Sequence, residues 1–364
     1  MTYSLDVVLC SLLRIGLGLT QNFPYFLTDK EWQDVFLKAK QQTVMGIACN
    51  ALSRLPSEVR PPRLLSIRLF GFAETLHGVN RQINEDAAHY TQMFLKRGFQ
   101  SVILKGPANA RLYPDPLSRQ AGDIDIWVPG GYAVVKRLLS DIGLISESKN
   151  LSSMPLHISF RNKKGIEIEV HHRPADISFR NREFQELLLA EFDNSELVPE
   201  GFYSPSIRFA LLMQLVHLYH HCVMDGAGLR HFMDYYILLT HSTKSDRDFV
   251  CTKINRFSLE HACAGIMWVL GEVFALPREQ MLCAPDKWRG KRLYKIVMEG
   301  GNFGRAKRNA RGKRPVLKRW LGNRLQNLSW FTFDPLNTIL SELQYWKTTI
   351  SLMPERIRRR KISL

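Results

Sequence analysis

Two aspartates at the start of a short apolar run constrain this chain more than any other feature. Asp123 directly precedes the run 124–128, and Asp125 lies within it. In a β-strand, residues i and i+2 point to the same face, so we expect both carboxylates side by side at one end of a sheet. Two like charges a few ångströms apart are unfavourable unless a cation lies between them. The pattern therefore predicts a site for a hard divalent cation such as Mg²⁺.

Short β-rich apolar runs distinguish residues 98–175 from the helical segments on either side. The predicted order is strand, helix, strand, helix, strand, strand, and the strands fall at 100–104, 124–128, 157–160 and 166–172. Residues 162–165 predict a hairpin turn between the last two strands. This order favours an α+β fold with an α/β core built on a small mixed sheet.

Helical periodicity dominates both flanks of this core. Near the N-terminus, the pattern predicts a helix capped at Thr28, with Asp29 and Glu31 in its first turn. With 45% apolar residues among 364, the chain can bury a substantial core. We predict four parts: an N-terminal helical region (1–95), the core (96–180), a C-terminal helical domain (181–284) and a basic, aromatic-rich C-terminal extension (285–364).

The last predicted strand supplies further acids. By the period of two, Glu167, Glu169 and His171 share one face of it. An aspartate pair on one strand and an acid on a neighbouring strand form the three-carboxylate arrangement used in two-metal phosphoryl transfer. Lys105 can pair with a phosphate, and Gly106 lets the backbone approach a triphosphate. The sequence thus predicts a phosphoryl-transfer site.

Two residues of that strand keep alternative interpretations. Glu167 is either a metal ligand or the solvent-exposed end of a hairpin, and the more frequent outcome for such a residue is the second. His171 either orients a carboxylate or is a hydrogen-bonded core histidine.

Polar residues of the C-terminal helical domain allow similar alternatives. His217, His220 and His221 have a helical spacing that can bind zinc, but with no further ligand evident a packed or substrate-facing helix is favoured. Arg230 and Asp234 stand at i and i+4, which favours an ion pair, with a phosphate contact through Arg230 as the alternative.

Several motifs in order resemble those of a known family. They are Leu104-Lys-Gly, Tyr113-Pro-Asp-Pro, Arg119-x-x-Gly-Asp-Ile-Asp-Ile-x-Val and Glu169-Val-His171, followed by the helical stretch from His217 to Asp234. Together they resemble the uncharacterised bacterial nucleotidyltransferase family of the DNA-polymerase-β-like superfamily, over the N-terminal four-fifths of the chain.

The resemblance implies roles for the acids. Asp123 and Asp125 would bind Mg²⁺ or Mn²⁺, and Glu169 would be the third carboxylate. It implies a small mixed-sheet core of the polymerase-β type and metal-dependent nucleotidyl transfer.

The chain departs from the superfamily at the end of the first strand. Gly-Ser or Gly-Gly usually stands where this chain has Lys105-Gly106-Pro107. We therefore expect Lys105 and Arg119 to bind the triphosphate, with Gly106 and Gly122 completing the nucleotide site.

The expected activity is transfer of a nucleoside monophosphate from an NTP, such as ATP, to an acceptor in surface polysaccharide or other secondary biosynthesis. A non-catalytic nucleotide-binding scaffold and a toxin-like transferase that modifies RNA or protein are the alternatives. The NTP used, the acceptor and the oligomeric state are left open.

The excess of positive over negative charge is confined to the C-terminal extension. Residues 287–324 hold fourteen lysines and arginines and one acid, and the run 356–361 is also basic, whereas the first 286 residues are neutral. This pattern fits a solvated face, an anionic membrane surface or nucleic acid.

Cysteine usage and hydropathy bear on the compartment. Six scattered cysteines indicate reduced thiols rather than a disulfide framework, and no signal peptide or membrane span is evident. We expect a cytoplasmic protein with possible peripheral membrane contact.

Overall fold

The computed structural model describes residues 3–146, 156–224, 226–301, 322, 324–325, 328–343, 345–347 and 350. Its helices are α1 (Leu5–Gly16), α2 (Asp29–Gln41), α3 (Met45–Leu52), α4 (Arg63–Leu95), α5 (Pro107–Ala110), α6 (Gly131–Asp141), α7 (Asn181–Ala190), α8 (Ile207–Met224), α9 (Leu229–His241), α10 (Lys244–Arg256), α11 (Glu260–Phe274) and α12 (Lys287–Gly300). Its strands are β1 (Val102–Ile103), β2 (Ile124–Trp127), β3 (His157–Arg161), β4 (Glu167–His171), β5 (Glu196–Leu197) and β6 (Tyr203–Ser204).

Strands β1 to β4 form a four-stranded mixed sheet, in the order β1-β2-β4-β3. β2 runs antiparallel to β1 and parallel to β4, while β3 and β4 form an antiparallel hairpin. The turn predicted at 162–165 closes this hairpin, with Gly165 at a φ of +80°. The predicted α+β class and its small mixed sheet are confirmed.

The alternation of β2 directs its side chains into two different cores. Ile124 and Ile126 pack in a cluster with residues of α4 and α6. Trp127 faces the other way, stacking on Phe209 of α8 at 5.5 Å between ring centroids. Because Asp125 shares the face of Trp127, the period of two aims its carboxylate toward the helical half of the protein.

The helices from the two ends of the chain share one hydrophobic core. Buried residues of α1, α2 and α3 belong to the same cluster as those of α8, α9, α11 and α12. Polar bonds reinforce this packing, since Arg14 of α1 donates to the Val273 carbonyl and Gln42 donates to that of Val297. The predicted boundaries at 95, 180 and 284 remain a prediction.

The predicted cap of α2 is present as a reciprocal capping box. The Thr28 hydroxyl accepts from the Glu31 backbone N–H, and the Glu31 carboxylate accepts from the Thr28 backbone N–H. Two of the donors that a helix start leaves unpaired are thereby satisfied.

A glycine in α3 lets that helix approach the loop that carries Arg119. A Cβ on Gly46 would lie 2.1 Å from the carbonyl oxygen of Ser118 and 2.5 Å from the side chain of Leu76. We expect Gly46→Ala to lower the free energy of unfolding by about 1–3 kcal/mol, because backbone must move to admit the methyl group. Denaturant unfolding measures the effect.

Gly78 of α4 is the matched control, because a Cβ there meets nothing within 4 Å. Gly78→Ala should leave stability unchanged or raise it by up to about 1 kcal/mol, as alanine favours helix. Equal stability of the two variants would contradict the close approach at Gly46.

Only part of the predicted basic extension falls within the described residues. In α12, the guanidinium of Arg292 lies over the Trp330 ring at 5.0 Å, and Arg289 donates to the carbonyl of Phe333. These two arginines therefore hold α12 to the turn at Trp330–Thr332. The basic stretch 302–321 and the run 356–361 lie outside the described residues.

The sequence predicts no membrane span, and the structure bears on this prediction. Across the residues that the structure describes, none of the helices combines the length and the apolar character needed to cross a bilayer.

Candidate active site

The two aspartates open onto a cleft between the sheet and the helices α8 and α9. On the sheet side, the cleft is lined by Lys105, Gly106, Arg119, Gly122, Asp123 and Asp125. On the helical side, it is lined by Gln214, His217, Leu218, Arg230, His231 and Asp234. Acidic and basic side chains therefore face the same space.

Three carboxylates converge at the sheet side of this cleft. In the parallel pairing of β2 with β4, Asp125 lies directly opposite Glu169. Carboxylate oxygens of Asp123, Asp125 and Glu169 all lie within 4.8 Å of one another. Glu167 pairs instead with Arg161 of β3 at 3.4 Å, in an exposed position. The geometry thus favours Glu169 over Glu167 as the third acid.

The chemistry of this acid set fits a hard divalent cation. Asp125 is fully buried, and its Oδ2 has no hydrogen-bond partner among the described residues. A buried carboxylate oxygen without a partner is costly. The charge of Asp125, together with burial, raises the pKa of Asp123, a sign of repulsion that a cation would relieve. All-oxygen donors suit Mg²⁺ or Mn²⁺.

Two cations of the protein contact the other oxygen of Asp125. The Oδ1 atom lies 3.0 Å from His171 Nε2 and 3.3 Å from Lys105 Nζ. Burial opposes the charge on His171, but bonds to Asp125 and Glu169 outweigh it and raise its pKa to about 9. A buried His171 bonded to Asp125 fits both of its predicted interpretations, and its functional role stays a prediction.

The electrostatics of Lys105 and Asp125 are mutually dependent. Burial alone would lower the pKa of Lys105, but the negative charges of Asp125 and Asp123 outweigh it and raise that pKa. Burial alone would raise the pKa of Asp125, yet Lys105 and His171 hold it below its usual range. Both groups are therefore charged at neutral pH.

A cluster of histidines borders Lys105 on the helical side. Lys105 Nζ lies 3.0 Å from His217 Nε2, which is itself 3.0 Å from His221 Nε2. His231 of α9 stacks on His221 at 5.0 Å between centroids. Burial and nearby positive charge lower the pKa of all three histidines, with that of His221 falling to about 3.

The structure changes the membership of the predicted histidine set. It brings His217, His221 and His231 within ligating distance of one another, while His220 points outward. Three neutral imidazoles can bind zinc. However, the ammonium of Lys105 in contact with His217 disfavours a second cation at the same place. We therefore assign no metal to this cluster.

Asp234 pairs with an arginine of the core rather than with its predicted partner Arg230. Arg119 donates from Nε to Oδ1 at 2.7 Å and from Nη2 to Oδ2 at 2.6 Å. The Tyr113 hydroxyl adds a bond to Oδ1 at 2.6 Å. The carboxylate of Asp234 is engaged by Arg119, which is distant in sequence, so the i, i+4 interpretation was wrong. The predicted phosphate contact of Arg119 stays a prediction.

Arg230 instead contacts the loop that leads into the aspartates. Its Nη1 donates to the carbonyls of Gln120 and Ala121, each at 3.2 Å. A Cβ on Gly122 would lie 3.0 Å from this Nη1, so a glycine makes room for the guanidinium. Arg230 Nε is buried and has no bonding partner within the described part of the chain. A buried donor in a cleft can serve an anionic ligand.

One residue of the site was missed in the sequence. His157 Nδ1 lies 3.6 Å from Glu169 Oε2, and the His157 ring is 4.9 Å from that of His171. The signal was available, because a hairpin closed at 162–165 places His157 opposite His171.

Comparison with known proteins adds one finding. A family model described as "Uncharacterised nucleotidyltransferase" matches residues 28–275. The match runs from the N-cap of α2 to the C-cap of α11 and contains every residue of the cleft. Searches of curated proteins and of solved structures gave no match.

Proposed function

Because this chain belongs to the uncharacterised nucleotidyltransferase family, we propose that it transfers a nucleoside monophosphate from an NTP to an acceptor in a Mg²⁺- or Mn²⁺-dependent reaction. One observation carries the metal requirement: Asp123, Asp125 and Glu169 converge, and a buried oxygen of Asp125 has no partner among the described residues. The acid set also argues against the scaffold alternative, since a purely structural core has no use for clustered carboxylates.

In this proposal Asp123, Asp125 and Glu169 hold the cation. When bound, a divalent ion supplies charge neutralisation at the α-phosphate and lowers the pKa of the acceptor hydroxyl. His171 fixes the orientation of Asp125, and His157 faces Glu169. Glu169 is the proposed base, because it is less buried than Asp125, the acid opposite it on β2, and can accept the acceptor proton.

The basic residues of the cleft are the proposed triphosphate contacts. Lys105, Arg119 and Arg230 line the same space as the aspartates. Gly106, at a φ of +65°, keeps the backbone uncovered beside Asp123, and Gly122 makes room for the Arg230 guanidinium. Positive side chains that converge with bare backbone are suited to a polyphosphate.

The acceptor pocket is proposed to lie against α8 and α9. Gln214 and His217 present polar atoms there, although Gln214 is already bonded to Asn109. An acceptor hydroxyl in surface polysaccharide or other secondary biosynthesis is our first candidate, and a toxin-like transfer to RNA or protein is the second. The cytoplasm, where NTPs and Mg²⁺ are available, is the proposed place of work.

A peripheral role for the basic segments 287–324 and 356–361 also remains a proposal. Anionic membrane and nucleic acid are the two candidate partners. Arg289 and Arg292 are already engaged in packing, so any such contact would fall to other basic residues.

The position of the label in the product tests the proposed transfer. Purified protein is incubated with Mg²⁺, cell extract and each of the four NTPs, labelled on the α- or the γ-phosphate. We expect the α-label to enter an acceptor and the γ-label to appear in pyrophosphate, and to see neither with Asp125→Asn. Separate analysis of lipid and glycan, RNA and protein then identifies the acceptor class.

Two results would contradict nucleotidyl transfer. Entry of the γ-label into the acceptor would indicate a phosphotransferase. Nucleotide binding without turnover of any NTP would favour the scaffold alternative.

A further inference from the structure

We propose that His217 is a positioning residue that draws the Lys105 ammonium away from Asp125, so that the carboxylate can accept a divalent cation. The inference rests on the proposed function only in requiring that a cation binds at Asp123 and Asp125. It gives a role to His217 of α8, which is not one of the proposed metal ligands.

The position of Lys105 between two acceptors is the first observation. Its Nζ lies 3.3 Å from Asp125 Oδ1 on the sheet side and 3.0 Å from His217 Nε2 on the helical side. The ammonium is therefore shared across the cleft. A small rotation of the flexible lysine side chain shifts it from one acceptor to the other without movement of the backbone.

Competition at Asp125 is the second observation. His171 already occupies Oδ1 at 3.0 Å, and Lys105 contacts the same oxygen. A divalent ion at this carboxylate would stand a few ångströms from the ammonium, where like charges repel strongly in a buried environment. Metal binding therefore favours an arrangement in which Lys105 is closer to its other acceptor.

Burial explains why that second acceptor is needed. The Lys105 side chain is only 18% exposed, so its ammonium cannot simply return to water. A buried ammonium without a hydrogen-bond acceptor is costly. His217 is half-buried beside Lys105, and desolvation together with the lysine charge keeps its pKa well below the usual value, so its ring is neutral and offers a lone pair. A neutral acceptor can hold the lysine without attracting the metal. A carboxylate in the same place would compete for the metal.

The histidine cluster keeps His217 in the orientation that this role requires. His221 packs edge-on against His217, with ring centroids 4.4 Å apart and their Nε2 atoms 3.0 Å apart. The unprotonated Nε2 of His217 has one lone pair, which accepts from Lys105. The packed ring of His221 restricts rotation of the His217 ring and so keeps this nitrogen directed at Lys105.

Mn²⁺ binding to the full-length protein without nucleotide tests the proposal, with free ion measured by electron paramagnetic resonance. We expect His217→Leu to weaken Mn²⁺ binding about tenfold, because Lys105 then has only Asp125 as acceptor. His217→Gln should bind as the wild type does, since its amide oxygen accepts from lysine. Lys105→Met should bind more tightly, because the competing ammonium is gone.

The double variant separates positioning from a general disturbance of the site. In the Lys105→Met background, His217→Leu should leave Mn²⁺ affinity unchanged. His220→Leu is the matched control on the same helix, and we expect no effect because His220 points away from the cleft.

Three outcomes would overturn the proposal. Equal weakening by His217→Leu in both backgrounds would show that the histidine acts independently of Lys105. Wild-type Mn²⁺ affinity in His217→Leu, or weaker Mn²⁺ binding by Lys105→Met, would show that Lys105 does not compete with the cation for Asp125. Either result would leave the proposed nucleotidyl transfer intact. Failure of the wild-type protein to bind Mn²⁺ would instead remove the metal site itself. If His217→Leu does not fold, Lys105→Met and His217→Gln decide the question.

Discussion

Asp125→Asn is expected to reduce metal-dependent nucleotidyl transfer on the order of a thousandfold, since several kcal/mol of transition-state stabilisation depend on the bound ion. The substitution keeps the shape of the side chain and removes its charge. Asp125 stands opposite Glu169 in the parallel pairing and within 4.8 Å of both other acids, so its loss affects the whole proposed metal site.

The measurement is the rate of α-label transfer and of pyrophosphate release under saturating NTP. Asp123→Asn should give a comparable loss and is the cleaner variant for folding, because Asp123 is less buried than Asp125. Circular dichroism and thermal unfolding check that both variants remain folded.

Glu167→Gln is the matched control for these variants. Glu167 lies on β4, two residues from Glu169, but pairs with Arg161 in an exposed position. We expect its transfer rate to stay within about twofold of wild type, because an exposed ion pair contributes little. Turnover that survives in Asp125→Asn, or that is lost equally in Glu167→Gln, would refute the assignment of the acids.

Asp234→Ala is expected to lower the free energy of unfolding by about 3–5 kcal/mol, the cost of breaking a buried ion pair from one side. Side-chain exposure is 7% for Arg119 and 6% for Asp234, and the two make a bidentate pair. Removal of the carboxylate leaves the Arg119 guanidinium buried without its counter-charge. Chemical denaturation monitored by tryptophan fluorescence gives the value.

Two further variants define the origin of this loss. The double variant Arg119→Met/Asp234→Leu should recover much of the stability, because no uncompensated charge remains. Tyr113→Phe should cost about 1 kcal/mol, the contribution of one hydrogen bond to the same carboxylate.

An exposed pair provides the comparison. Lys244 and Asp248 form an i, i+4 ion pair with side-chain exposures of 82% and 61%. Asp248→Ala should change stability by less than about 1 kcal/mol. A similarly small effect of Asp234→Ala would argue that the Arg119–Asp234 pair is solvated in solution.

Local pattern accounts for the parts of the fold that were predicted from the sequence. The run 124–128 and the hairpin around 162–165 follow from side-chain alternation and turn chemistry, which act over a few residues. The capping box at Thr28 depends on contacts within one helical turn. Family membership followed from motif order, which is also written along the chain.

Contacts between distant segments could not be predicted in the same way. Lys105 and His217 are separated by more than a hundred residues, as are Arg119 and Asp234. The helical spacing of Arg230 and Asp234 suggested an ion pair, yet tertiary packing gave each of them a different partner. The spacing of residues along a helix or strand shows which of them are neighbours on that element. It carries no information about which other element packs against them.

The sequence by itself therefore predicted that Asp123 and Asp125 point to the same side at the start of a strand, because backbone geometry dictates that periodicity. Only the tertiary structure decided what faces them. The parallel register of β2 with β4 selected Glu169 over Glu167, and the packing of α8 and α9 against the sheet brought His217 to Lys105 and Arg230 to the loop before the aspartates. These contacts depend on how whole elements bury their apolar faces, a property of the assembled core rather than of any local stretch.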